Sequence, residues 1–221
     1  MTASLSAKGE KMASNNIAKT AVLVSGGGTN LQAIIDAKNN GKIPNAEISL
    51  VVSNNPSAYA ITRAQNASIP VEVVTKKDFA TREEFEKKII SVLDDNNIDF
   101  IVLAGFMSIL SEEFVKHYER RIINVHPSLI PSFCGQGFYG LKVHEAALKY
   151  GVKVTGATVH YVNEIPDGGE IILQKSVKIR KNDTPEALQR RVMEEAEWKI
   201  LPQAVNEVAK EIIRKRKAEA K

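Results

Sequence analysis

The chain has 221 residues, 43% hydrophobic and 25% charged, proportions that exclude a disordered chain, a collagen-like repeat and a coiled-coil rod. No apolar run approaches the roughly eighteen residues of a membrane span, and the single cysteine, Cys134, excludes an internal disulfide and a multi-cysteine metal site. The formal charge of +4 sits at the ends: residues 1–19 carry +2 and residues 210–221 carry +4, leaving the body at −2, so neither a nucleic-acid nor a membrane partner is expected.

Residues 1–19 are small, polar and aperiodic, and are expected to form a flexible leader. They lack a secretory apolar core, which points to a reducing, cytoplasmic compartment. Residues 20–25 read as a first strand, running straight into three glycines. A helix follows to about residue 40, with Leu31, Ile34 and Ile35 on one face and Gly41 as its stop. Strands are expected at 48–52, 71–74 and 98–104, and helices at 56–67 and 81–93. Thr81 with Glu84 forms the signature of a capping box. The nearly all-apolar run at 98–104 is that of a strand covered on both faces. Four strand–helix alternations in sequence predict an α/β fold, a Rossmann-like parallel sheet with helices on both faces.

The second half breaks that rhythm. A strand is expected at 121–126 and a helix at 141–150, ended by Gly151. Strands at 154–162 and 170–179, separated by Pro166-Asp167-Gly168-Gly169, read as an antiparallel pair that extends the sheet into one mixed sheet. Thr184-Pro185 opens a helix running towards Pro202. Val205, Val208, Ala209, Ile212 and Ile213 make a last apolar helical face. The expected organisation is a leader at 1–19, one domain at 20–202 and a basic amphipathic helix or tail at 203–221.

Three segments carry chemistry. Ser25-Gly26-Gly27-Gly28-Thr29-Asn30 joins the first strand to the first helix, where backbone amides and the helix N-terminus suit an anion. Leu31 stands where a dinucleotide fingerprint has its third glycine, and the second strand ends Ser53-Asn54-Asn55 without a carboxylate for a ribose diol. The Gly-Lys-Ser/Thr of a Walker loop is absent. The turn therefore fits a single phosphate, and a ligand-free tight turn is the plainer alternative. Asn124 and His126 lie two apart in a strand, hence on one face, at the carboxyl end where open sheets bind ligands. An amide beside an imidazole can bind a carbonyl oxygen as charge develops on it, and the imidazole can move a proton. A packed strand-end histidine is the alternative. His117, His144 and His160 share no metal-ligand spacing with His126, so no metal is expected. Asp167 is either a turn aspartate or a carboxylate folded over the same crevice, where it would favour the imidazolium of His126.

These segments, in this order, resemble the folate-dependent phosphoribosylglycinamide formyltransferases. The resemblance runs from about residue 20 to 202 and rests on Val24-Ser25-Gly26-Gly27-Gly28-Thr29-Asn30-Leu31-Gln32, Leu103-Ala104-Gly105-Phe106-Met107, Asn124-Val125-His126-Pro127-Ser128-Leu129-Ile130-Pro131, and Asp167-Gly168-Gly169 with Ile172-Leu173-Gln174. It implies a formyltransferase fold and transfer of a formyl group from 10-formyltetrahydrofolate to the amine of glycinamide ribonucleotide. It further implies that Gly28, Thr29 and Asn30 hold the ribonucleotide phosphate and that Glu197 binds its ribose hydroxyls. Arg82, Met107, Ser108, Ile109 and Leu110 would line the folate pocket together with Asn124. Asn124, protonated His126 and Asp167 would form the catalytic trio. Ser108 departs from the arginine of well-known members, and residues 132–141, with Cys134, Phe138 and Tyr139, are longer than the common form; Cys134 is expected to be a loop or packing residue.

Two related enzymes and one binding module compete. A methionyl-tRNA formyltransferase carries a further RNA-binding domain, for which the nineteen residues after Pro202 are expected to be too few. A formyltetrahydrofolate deformylase carries an N-terminal regulatory domain, larger than the leader. A non-catalytic phosphate-binding module would lack the Asn/His/Asp trio. A monomer and a homodimer are equally compatible with the sequence.

Overall fold

In the computed structural model, which describes residues 16–220, the apolar runs stack into the middle of a sheet. The expected leader lies outside the described residues as far as residue 15. Strand β1 (Ala18–Val24) leads through the glycine turn to helix α1 (Thr29–Asn39). Strand β2 (Ala46–Ser53), helix α2 (Tyr59–Asn66) and the short strand β3 (Val71–Val73) follow. After one 3-10 turn come helix α3 (Arg82–Asp95), strand β4 (Phe100–Leu103), helix α4 (Glu112–His117) and strand β5 (Ile122–His126). The chain continues with helix α5 (Leu141–Tyr150), strands β6 (Val154–Tyr161) and β7 (Ile171–Lys178), helix α6 (Pro185–Val192), a π turn at Met193–Glu197 and helix α7 (Trp198–Glu219).

The strands form a seven-stranded sheet in the order β3-β2-β1-β4-β5-β6-β7. Pairs from β3 to β5 are parallel, whereas β5 with β6 and β6 with β7 are antiparallel. The expected mixed sheet is therefore what the chain builds. Alternate residues of β1 face opposite layers. Val22 and Val24 pack under α1, α2 and α7 with Leu31, Ile34, Ala60 and Val205. Ala21 and Leu23 pack under α3 and α4 with Phe85, Ile89 and Phe114. Burial on both faces explains why β1 and β4 read as continuous apolar runs.

Four details differ from the sequence expectation. First, β1 starts two residues before residue 20, because Ala18 N–H donates to the Asn45 carbonyl at 2.8 Å and Lys19 N–H to the Asp99 carboxylate at 2.7 Å. Second, α4 was not expected; its signal is short, Ser111 capping the Phe114 amide. Third, the helix anticipated to end near Pro202 runs on as α7 with that proline inside it. The buried face of Ile200, Leu201, Ala204, Val205, Val208 and Ala209 is continuous, and such packing outweighs one missing helical bond. Fourth, the end of the chain expected as a helix or tail is all helix, and its basic end is held to the body. Arg216 pairs with Asp99 and donates through Nη1 to the Ile17 carbonyl at 3.3 Å. Among the described residues no helix is long and apolar enough to cross a membrane.

Candidate active site

The order β2-β1-β4-β5 places β1 and β4 side by side where the winding of the sheet reverses, the position at which open α/β sheets form a ligand crevice. Three loops leave the carboxyl edge there: the glycine turn after β1, the loop after β4, and the Pro127 segment after β5.

Asn124 and His126 share a face of β5, as their spacing requires. The register sets Asn124 opposite His160 and His126 opposite Thr158 on β6. The turn between β6 and β7 then folds back. Gly168 N–H donates to the Ile165 carbonyl at 2.9 Å, and a Cβ at Gly169 would overlap the Tyr161 carbonyl, so only glycine lets the turn lie that close. Asp167 adopts a left-handed backbone with φ of 56°, which aspartate tolerates better than most residues. Its carboxylate arrives 3.5 Å from His126 Nδ1 through Oδ2 and 3.6 Å from His160 Nε2 through Oδ1. The three residues of the expected trio therefore meet.

Sequence spacing missed two participants. The first is His160, read as a strand-body histidine. Its Nδ1–H donates to the Tyr161 carbonyl at 2.8 Å, which turns Nε2 towards the Asn124 amide, 3.3 Å away, and the Asp167 carboxylate. Only the β5–β6 register could have revealed it. The second is the segment 132–141. His126 Nε2–H donates to the Phe133 carbonyl at 2.9 Å, and Gly135 N–H donates to Asp167 Oδ2 at 2.8 Å. This segment thus bridges the imidazole and the carboxylate. Cys134 lies between the two bonds, its Sγ–H donating to the Pro131 carbonyl at 3.3 Å. Burial, reinforced by Asp167, pushes the thiol pKa up, which leaves it a packed loop thiol rather than an activated one.

The surroundings of His126 act on its charge in opposite directions. Burial holds its pKa below the ordinary imidazole value, and His160 adds to that effect. Asp167 and the Phe133 carbonyl act in the opposite direction without reversing it. The residue is only 4% exposed, so desolvation of the cation outweighs a carboxylate at 3.5 Å. For Asp167, burial opposes ionisation, but His160, His126 and the Gly135 amide together hold its carboxyl below the ordinary range.

At the other end of the crevice, α1 begins without a side-chain cap, leaving its first-turn amides available. Gly28 has φ of 70°, and a Cβ there would stand 2.6 Å from the Ala60 Cβ. The position therefore needs glycine for both conformation and space. Asn30 Nδ2–H donates to Glu197 Oε2 at 2.7 Å. Its Oδ1 is buried with no hydrogen-bond partner among the described residues, a buried acceptor that the protein itself leaves unmet. Glu197 is buried, which pushes its carboxyl up to about 6, with Asn30 acting against the shift. The Thr29 hydroxyl makes only a long contact, 3.9 Å, to Met193 Sδ.

The loop after β4 is pinned from below. Met107 N–H donates to Ser25 Oγ at 2.8 Å and Asn54 Nδ2–H to Ser108 Oγ at 3.0 Å. Arg82 Nη2–H donates to the Ile109 carbonyl at 2.7 Å. The side chains of Met107 and Ile109 are exposed. The structure thus joins Arg82 to residues 107–110, and the register Leu103–Asn124 sets that loop beside Asn124. A separate cleft of about 490 Å³ runs between α1 and α7 and meets the glycine turn at Thr29.

Comparison with known proteins follows the same outline. A family model described as "Formyl transferase" matches residues 18–205. The phosphoribosylglycinamide formyltransferase of Haemophilus influenzae is 43% identical over 184 residues, 83% of this chain and 84% of that one. The trifunctional purine biosynthetic protein adenosine-3 of Gallus gallus is 45% identical over 88% of this chain, which spans only 19% of that protein's length. Among solved structures, glycinamide ribonucleotide transformylase 1 of Symbiobacterium toebii superposes with a TM-score of 0.82 at 36% identity, covering 88% of this chain and 89% of that one. The phosphoribosylglycinamide formyltransferase of Coxiella burnetii gives 0.79 at 42% identity, with 86% of each chain covered.

Proposed function

The chain belongs to the formyl transferase family, and on that premise we propose that it carries the formyl group of 10-formyltetrahydrofolate to the amine of glycinamide ribonucleotide, a cytoplasmic step of purine synthesis. The observation that carries the reading is the meeting of Asn124, His126 and Asp167 at one crevice, with an uncapped helix N-terminus and the Asn30–Glu197 pair at its far end.

In this reading the ribonucleotide phosphate takes the amides of Gly28, Thr29 and Asn30, and its ribose hydroxyls donate to Glu197 and to Asn30 Oδ1. The folate enters over residues 107–110, with Arg82 holding that loop. The free amine attacks the formyl carbon, and a new N–C bond forms as the carbonyl pair moves onto oxygen. Asn124 Nδ2–H and the His126 N–H donate to that oxygen, each such donor being worth about 3–4 kcal/mol of barrier. An alkoxide is a stronger acceptor than the Phe133 carbonyl, to which His126 donates. Its negative charge also adds to that of Asp167, which favours the imidazolium as the intermediate forms. The proton lost by the amine passes through Asp167 and His126 to the folate nitrogen, whose bond to the carbon then breaks. Holding both reactants in one crevice supplies a further share of the rate, up to roughly 7–11 kcal/mol in well-oriented systems.

One assay decides the acceptor: formyltetrahydrofolate offered with glycinamide ribonucleotide, initiator methionyl-tRNA or water. Turnover with the ribonucleotide alone is expected. Single-turnover rates then test the roles. His126→Ala and Asp167→Asn should each slow chemistry by about 10²-fold or more while ribonucleotide binding changes little. Wild-type chemistry in His126→Ala would defeat the assignment.

A further inference from the structure

The glycine turn is held open from outside by helix α2 and the loop that leads into it. Four consecutive carbonyls of the turn each have one donor. Ser25 O accepts from Asn55 Nδ2 at 3.1 Å, Gly26 O from Ala60 N at 3.1 Å, Gly27 O from Arg63 Nε at 2.8 Å, and Gly28 O from Gln32 N at 2.9 Å. Peptide groups are planar and trans, so each N–H points away from the carbonyl of its own unit. Anchoring the Ser25, Gly26 and Gly27 carbonyls on the 55–63 side turns the Gly26, Gly27 and Gly28 amides the other way, into the crevice.

The unit between Gly27 and Gly28 is the weak point. It is flanked by two glycines, whose backbone rotates more freely than that of any other residue, and Gly28 is already left-handed. Its carbonyl is held by a side chain, Arg63. That guanidinium is itself oriented twice, by Nη1 donating to Gln32 Oε1 at 3.0 Å and by stacking 5.0 Å over the Tyr59 ring.

We propose that Arg63 is a positioning residue of the phosphate cradle, fixing the Gly27–Gly28 peptide so that its amide faces the ligand. It makes no contact with the reacting atoms. The proposal rests on the ribonucleotide reading above for the identity of the phosphate, and its test separates the two.

Steady-state kinetics on Arg63→Ala, Arg63→Gln and Arg63→Lys supply the first readout. Arg63→Ala should raise the ribonucleotide KM about tenfold, the loss of one ordinary positioning bond, with kcat and the formyl-folate KM little changed. Arg63→Lys and Arg63→Gln, which each keep one donor for the Gly27 carbonyl, should both recover part of the loss. An unchanged ribonucleotide KM in Arg63→Ala overturns the proposal. So does recovery by lysine alone that vanishes in high salt, because long-range charge would then be the cause. An equal rise in both KM values overturns it as well. The second readout is the rise in melting temperature caused by inorganic phosphate. It should be present in the wild type and reduced in Arg63→Ala. That shift judges Arg63 even if the ribonucleotide is not turned over, an outcome that would sink only the proposed substrate. A wild type without any phosphate shift, or an Arg63→Ala variant with the full shift, sinks the clamp.

Discussion

A carboxyl group sealed from water and given one amide partner resists ionisation, and Glu197 is such a group, with a pKa pushed up to about 6. If the ribose hydroxyls donate to it, the ionised form binds them better. Ribonucleotide affinity should therefore fall as the pH drops through about 6. The ligand's own phosphate has its second ionisation near 6, so the wild-type profile mixes two groups. Glu197→Gln removes one of them. The variant should bind more weakly at about pH 8 and lose less affinity on going to about pH 5, as read by titration calorimetry across that range. Parallel profiles for the two proteins would remove Glu197 from the ribose site. At this scale the residue types and their order singled out Asn124, His126, Asp167 and the turn through Asn30, and the family resemblance added Glu197. His160 and Arg63 were hidden, because what makes them matter is a strand register and a helix orientation, neither of which is written in local spacing. The depression of the His126 pKa was hidden for a related reason. A carboxylate partner can be guessed from a motif, but the depth of burial that outweighs it belongs to the finished fold.

Helices α6 and α7 are joined by the π turn, and one row of buried residues through the junction recurs every fourth position: Leu188, Val192, Ala196, Ile200, Ala204 and Val208. In an ideal α-helix a step of four overshoots a full turn by roughly 40°, so five steps would roll the stripe about 200° around the axis. The wide turn at Met193–Glu197 takes up about one residue's rotation and keeps both halves against the sheet. Deleting Glu194, an exposed residue, should let the turn close into an α-helix. The long, heavily buried α7 would hold its place while α6 rotates by about 100°, carrying Leu188 and Val192 out of the core. A loss of at least about 3 kcal/mol is expected from those two side chains, whereas Glu194→Ala at full length should stay within about 0.5 kcal/mol of wild type. Denaturant midpoints measure both, and a deletion as stable as the point variant would show that the turn sets no register. The strands, the capping box at Thr81 and the proline-led start of α6 were legible because each has a short-range cause. The π turn was not, since a spacing of four reads as ordinary helix. Nor was the passage of α7 through Pro202, where the local rule says stop and the core overrules it.

Across the molecule, folding places titratable groups in opposition. His144 on α5 is fully buried with neither ring nitrogen hydrogen-bonded among the described residues. Burial lowers its pKa from 6.5 to about 4, and the neighbouring His126 adds to the shift. His126 is shifted in the same direction. A histidine depressed on folding takes up its proton in the unfolded chain first. Between pH 6.5 and about 4 the unfolded state binds more protons, so stability rises with pH there and is lost on acidification. Glu197 has the opposite sign, since its raised pKa favours the folded state below about 6 and offsets part of that loss. Asp167, held below its ordinary value, contributes to the loss only at still lower pH. The imidazole contribution of His144 alone is on the order of 3 kcal/mol across its window. His144→Leu, close in volume and without ionisable nitrogens, should therefore flatten the acid limb. Its melting temperature should match or exceed wild type near pH 7 and exceed it by a widening margin towards about pH 4.5. Curves that fall together on acidification would mean that His144 is already protonated in the folded chain, with ligands for its nitrogens that the packing around α5 does not show.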